Sequence, residues 1–202
     1  MVQLMAGTTP PYLHNYSQKR CRMNFSILQR ETIYQGRAFG VEKVQMKLPD
    51  GTIRPYDLVQ HSGSVTIVPL DSNGNLLFVR QYRIGVGEEL LELPAGVLND
   101  AEDPQTCAAR EIREETGMAA ANLELLGDFY LAPGYSSEHM YIFLASGLYP
   151  SPLEQDADEF LQTVAIPAAQ ALEMAQNGEL RDAKSLAALM LAQKRLKGDL
   201  QI

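Results

Sequence analysis

Between Gly96 and Met118 the chain reads Gly-x5-Glu-x7-Arg-Glu-Ile-Arg-Glu-Glu-x-Gly-Met, which places four glutamates, Glu102, Glu111, Glu114 and Glu115, on one short segment. Local signals make most of that segment helical. Asp103 can cap, Pro104 suits the first helical position and Gly117 suits the left-handed residue past the end, so the sequence predicts a helix over 104–116. On it Glu111 and Glu115 share a face and Glu114 stands three residues from Glu111. Like charges at these spacings cost about 0.2–0.5 kcal/mol per pair, a repulsion that a bound cation relieves. Oxygen donors suit a hard divalent ion such as Mg2+, which takes one or two carboxylates plus phosphate and water, better than they suit zinc. Arg110, four residues before Glu114, is placed to pin it. The competing reading of a Glu/Arg-rich helix is a solvated face of paired charges.

The whole string resembles the Nudix box, Gly-x5-Glu-x7-Arg-Glu-U-x-Glu-Glu-x-Gly-U with U aliphatic. Gly96, Glu102, Arg110, Glu111, Ile112, Glu114, Glu115, Gly117 and Met118 fill every fixed slot. The resemblance implies a loop–helix–loop that holds Mg2+ or Mn2+ while water attacks a nucleoside diphosphate linked to another group. By the same resemblance Glu111 and Glu115 are the main metal ligands, and Glu114, as a further ligand or support, belongs with Arg110 among the catalytic residues. Leu93-Pro94-Ala95-Gly96 looks like the family segment in which the backbone carbonyl at Ala95 completes a metal site. Displacement at a diphosphate needs developing negative charge neutralised and a water positioned, and metal ions do both.

Composition agrees with a compact enzyme: 202 residues at 46% hydrophobic content can bury one good core plus a small accessory unit. The net charge of −8 argues against phosphate-backbone binding, so nucleic acid is not an expected partner. Met1 to Tyr16 lacks the charged-then-apolar order of a signal peptide, and no stretch approaches about 18 apolar residues; the expectation is a cytoplasmic protein without membrane contact. The two cysteines, Cys21 and Cys107, read as reduced and structural.

Along the chain, 39–48 and 53–59 flank Pro49-Asp50-Gly51 and predict a hairpin, and 65–70 and 76–81 flank Asp71-Ser72-Asn73-Gly74-Asn75 and predict a second. Further strands are expected over 123–130, 139–145 and 164–166. Pro167 opens an alanine-rich helix that Gly178 ends, and 182–197 carries Leu186, Leu189, Met190 and Leu196 on roughly one side, as a core-facing helix does.

This order resembles the ADP-ribose pyrophosphatase branch of Nudix hydrolases over roughly 30 to 195. It implies an α/β fold with a mixed β-sheet sandwiched between helices, preceded by a small N-terminal β unit. We expect residues 1–60 to form that unit and 61–202 the hydrolase domain. Val79-Arg80-Gln81-Tyr82-Arg83 looks like the family strand end whose arginine, here Arg83, contacts the substrate's phosphate or ribose side. Leu131 to Glu138 resembles a Pro-Gly-x-Ser-x-Glu stretch, with Pro133 falling 16 residues after Gly117; Gly134 would let backbone approach the ligand and Glu138 would support the metal or bind substrate. The acidic run Glu154-Gln155-Asp156-Ala157-Asp158-Glu159 resembles the loop that supplies the general base; Glu159 is the first choice, with Asp158, Asp156 and Glu154 as competitors. In this family the leading unit builds a homodimer and helps grip the nucleotide, which makes Arg54 a candidate substrate contact. The implied reaction is Mg2+-dependent hydrolysis of ADP-ribose, or related ADP-sugars, to AMP and a sugar phosphate. The alternatives are another nucleotide sugar such as GDP-mannose, or a ligand-sensing Nudix-like module.

Overall fold

The computed structural model describes residues 24–154 and 160–199. In chain order the elements are β1 (Ser26–Gln35), β2 (Gly40–Lys47), β3 (Ile53–Gln60), β4 (Ser64–Pro69), β5 (Asn75–Arg83), β6 (Glu88–Glu92), β7 (Ala95–Val97), α1 (Pro104–Thr116), β8 (Met118–Tyr130), β9 (His139–Pro150), β10 (Gln162–Pro167), α2 (Ala168–Asn177) and α3 (Ala183–Asp199).

The box helix forms where its caps place it. Asp103 is extended, at φ −77° and ψ 147°, and its carboxylate accepts from the Gln105 and Thr106 amides; Gly117 closes α1 at φ 73° with its N–H on the Arg113 carbonyl. Both caps satisfy backbone groups that a helix end otherwise leaves open. Cys107, Ala108 and Ile112 then pack on Val65, Ile67, Phe143 and Ala145.

Those partners belong to a four-stranded sheet of order β7-β4-β9-β8, in which β4 runs parallel to β9 and the remaining pairs are antiparallel. All six residues of β4 are buried, as a strand covered on both faces requires. Its other face meets α3: Val68, Met140, Ile142 and Leu144 share a core with Ala188, Leu189, Ala192 and Leu196. The mixed sheet is thus sandwiched between α1 and α3. A second, antiparallel sheet of order β10-β5-β6 adds Leu76, Phe78 and Ile166 to the α3-side core.

The second expected hairpin is not a hairpin. β4 and β5 follow one another across a turn held by the Asp71 carboxylate, which accepts from the Asn73 and Asn75 amides at 2.8 Å each. Beyond a single bridge between Leu70 and Leu76 the two strands part. The edges of β4 are already taken by β7 and β9, and those of β5 by β10 and β6, so each strand joins its own sheet. β1, β6 and β7 are strands that the pattern of residues did not indicate.

The leading sheet, β1-β2-β3, is antiparallel. All ten residues of β1 are exposed, and Ile27, Leu28, Ile33 and Tyr34 are among the large apolar side chains left to solvent. The sheet is tied to the rest of the chain through β3: the Val59 amide donates to the Tyr135 carbonyl at 2.8 Å and the Ser137 amide to the Val59 carbonyl at 3.0 Å. No helix among the described residues is long and apolar enough to cross a membrane.

Candidate active site

The inward face of α1 carries two acids among its apolar residues. Glu111 is 7% exposed and Glu115 2%. Helical spacing puts both on the face that also buries Cys107, Ala108 and Ile112. Burial of two carboxylates costs several kcal/mol per ion unless opposite charge and hydrogen bonds compensate. The compensation is visible. The Ala95 amide donates to Glu115 Oε2 at 3.1 Å, and Arg110 Nη1 donates to Glu111 Oε1 at 2.6 Å and to Glu114 Oε2 at 2.8 Å. The rest of the Arg110 guanidinium faces Glu102, with Nε and Nη2 each 3.0 Å from a carboxylate oxygen. One guanidinium therefore holds three box carboxylates. Its bond to Glu102 and the charge of Glu111 raise the Arg110 pKa, and the same Arg110 bond holds Glu102 below its ordinary value.

Gly96 fits this arrangement for a steric reason. A Cβ there would overlap the Glu111 carboxylate, so β7 can lie against α1 at this point only because the residue has no side chain. Burial pushes the neighbouring Cys107 thiol up to about 12, with the Glu111 and Glu102 charges adding to the rise. Cys107 is thus a neutral, unpaired thiol, in keeping with a structural role; Cys21 lies outside the described residues.

The donor chemistry fits a hard divalent ion. Glu111 and Glu115 are buried oxygen donors on one helix face, and Gly96 keeps clear the space over Glu111. Among the described residues no three His, Cys, Asp or Glu side chains gather as a metal cluster, and Glu111 and Glu114 are both bonded to Arg110.

The other expected site residues fall in several places. Arg83, at the end of β5, is bound by Glu92, and its pKa is raised by that bond and by the charges of Glu92, Glu115 and Asp182, which puts Arg83 in the electrostatic field of the box. Glu138 Oε1 accepts from the Ser64 hydroxyl at 2.8 Å, beside the start of β4. Gly134 is exposed with open space about it. Arg54 is exposed on β3, opposite Met46, and the structure does not bring it to the box. Glu159, Asp158 and Asp156 lie outside the described residues, and Glu154 is exposed. Glu92 and Lys184, both bonded into the Arg83 surroundings, were not expected from sequence. The Glu92-Leu93-Pro94 run before Ala95 was the available signal for the first.

A groove of about 420 Å3, lined by Thr106, Arg110, Arg113, Tyr149 and Leu153 among others, lies along the flank of α1. Neither Glu111 nor Glu115 lines it. A smaller recess of about 250 Å3 sits where the β1–β2 turn meets the end of β3, between Gln35, Arg37, Phe39, Gln60 and His61.

A family model described as NUDIX domain matches residues 60–189, and the chain belongs to that family. With every fixed box position filled, it is a Nudix hydrolase. Among its relatives, the ADP-ribose pyrophosphatase of Mycobacterium tuberculosis (strain ATCC 25618 / H37Rv) is 37% identical over 172 residues, 83% of this chain and 82% of that protein. The ADP compounds hydrolase NudE of Escherichia coli (strain K12) is 33% identical over 175 residues, 86% of this chain and 94% of its own. A crystal structure of an ADP compounds hydrolase superposes with a TM-score of 0.77 at 31% identity, covering 88% of this chain and 97% of that one.

Proposed function

We propose that the enzyme hydrolyses the diphosphate bond of ADP-ribose, and of related ADP-sugars, to AMP and a sugar phosphate such as ribose 5-phosphate. The observation that carries the reading is the buried Glu111–Glu115 face of α1 closed by the Ala95 amide and Gly96. The names of the relatives at 33–37% identity over most of the chain supply the substrate class.

The residues divide the work as follows. Glu111, Glu115 and the Ala95 carbonyl would hold a divalent cation, Mg2+ or Mn2+, with Glu114 in support. That ion supplies Lewis-acid neutralisation of the diphosphate. Arg110 orients Glu102, Glu111 and Glu114 through its guanidinium, and its release of Glu111 and Glu114 would make them available as ligands. Arg83 binds a phosphate oxygen through the edge of its guanidinium that faces away from Glu92. Glu138 and the 133–137 loop border the site, and Glu159, ahead of Asp158, Asp156 and Glu154, takes the proton of the attacking water. The N-terminal unit pairs with a second copy through its exposed apolar residues, and Arg54 reaches the substrate across that interface. The bare apolar surface of β1 supports this part of the reading.

The test is product analysis. Incubation with Mg2+ and ADP-ribose, ADP-glucose, GDP-mannose or NADH, followed by chromatography, should give AMP and ribose 5-phosphate preferentially from ADP-ribose, with turnover lost in Glu115→Gln. Preference for GDP-mannose moves the substrate, and absence of turnover with every member contradicts the reading.

A further inference from the structure

The start of α3 is wired into the substrate side of the molecule through one buried carboxylate. Glu92 closes β6 with its side chain 2% exposed, yet it serves two cations. Arg83 grips it bidentately, Nε to Oε1 at 2.8 Å and Nη2 to Oε2 at 2.6 Å, and Lys184 Nζ bonds Oε2 from the other side. Burial pushes the Glu92 carboxyl up; the Arg83 bonds and the Lys184 charge more than reverse this and leave it below its ordinary value.

Lys184 is itself held. Its Nζ lies 2.9 Å from Asp182 Oδ1, and Asp182 Oδ2 accepts from the Ser185 amide at 3.0 Å and hydroxyl at 2.5 Å. The Ser185 hydroxyl, fully buried, in turn accepts from the Leu93 amide at 2.7 Å. The first turn of α3 therefore fixes Glu92 and Leu93 by direct bonds. Two residues later the Ala95 amide meets Glu115.

The consequence falls on Arg83. Its Nε and Nη2 are taken by Glu92, while Nη1 bonds none of the described residues and the side chain is 38% exposed. A guanidinium clamped along one edge presents the opposite edge in a fixed direction, the geometry that suits a phosphate oxygen. Glu92 alone would cancel the charge it orients. Lys184 shares the Glu92 carboxylate but is itself paired with Asp182, so the two cations and two carboxylates balance and what Lys184 adds is a second anchor that fixes where Glu92, and with it Arg83, points.

We propose that Lys184 is a positioning residue for the substrate diphosphate: acting through Glu92, it sets the orientation of Arg83 without touching substrate. This rests on the assignment of Arg83 as a phosphate contact of the proposed reaction. It identifies the α3 N-terminus, outside the box, as a determinant of substrate affinity.

The experiment is steady-state kinetics with ADP-ribose and saturating Mg2+ on Lys184→Met, Lys184→Arg, Arg83→Gln and the Lys184→Met/Arg83→Gln double variant, with thermal melts beside each. Lys184→Met should raise KM about tenfold with kcat within about twofold of wild type, and Lys184→Arg should restore most of the loss. The double variant should be no worse than Arg83→Gln alone, because the effect of Lys184 passes through Arg83. Should Lys184→Met fail to fold, Glu92→Gln, which keeps the shape and removes the charge, should show the same KM rise. A wild-type KM in Lys184→Met, or additive losses in the double variant, overturns the positioning role while leaving the hydrolase reading intact. A wild-type KM in Arg83→Gln removes both the Arg83 contact and the inference built on it.

Discussion

The box helix and the leading sheet solve opposite problems with similar residues. Ile112 on α1 is fully buried, whereas Ile33 on β1 is 56% exposed. On α1, every charge has a partner close by and both ends are capped. On β1, apolar side chains stand in solvent along a strand with two register shifts. A helix so completely satisfied within its own chain can hold buried carboxylates in register for an ion. A sheet whose first strand leaves every side chain exposed draws little stabilisation from apolar burial among the described residues.

The comparison breaks first at Gly96. Gly96→Val would drive a side chain into the Glu111 carboxylate, and turnover should fall about a hundredfold or more with the fold retained by circular dichroism; near-normal turnover would mean that Glu111 need not stay where it lies. Next, Ile112→Ala should cost about 2–5 kcal/mol in denaturant unfolding, because it opens a cavity between α1 and the mixed sheet. By contrast, Ile33→Ala should cost less than about 0.5 kcal/mol in a dilute monomer. A cost that grows with protein concentration would show that β1 is covered by a second copy, and light scattering that finds only monomer at micromolar concentration would remove the dimer.

The smallest effect is one of pH. Glu92 has a folded pKa below its ordinary 4.5, so its contribution is present above that value and is lost as pH falls through the folded pKa. Glu92→Gln should flatten the acid limb of stability below about pH 4.5 relative to wild type. An unchanged acid limb would mean that the Arg83–Glu92–Lys184 linkage adds nothing to folding.

What the sequence made legible follows from how local its signals were. α1 was readable to its end residues because Asp103, Pro104 and Gly117 act within one turn of where they stand. The hairpin across Pro49-Asp50-Gly51 was readable for the same reason. The pairing of β4 was not, since a strand buried on both faces carries no alternation to say which neighbour lies on which edge. β1 was missed because its side chains show no in–out pattern: none of them is buried. Lys184 lay in a segment whose apolar stripe spoke only of core packing, and its contact with Glu92 spans 92 residues. Ala101 takes φ 61° in the box loop, a left-handed position that nothing in an alanine announces.

The central claim is that the buried face of α1 is a cation site rather than a structural charge cluster, and Mn2+ binding tests it without recourse to turnover. Titration followed by the electron paramagnetic resonance signal of free Mn2+ should show saturable binding by the wild-type protein and affinity weakened about tenfold or more in Glu115→Gln. Equal affinity in the two proteins would contradict the account and return Glu111 and Glu115 to the role of partners in a structural ion-pair network.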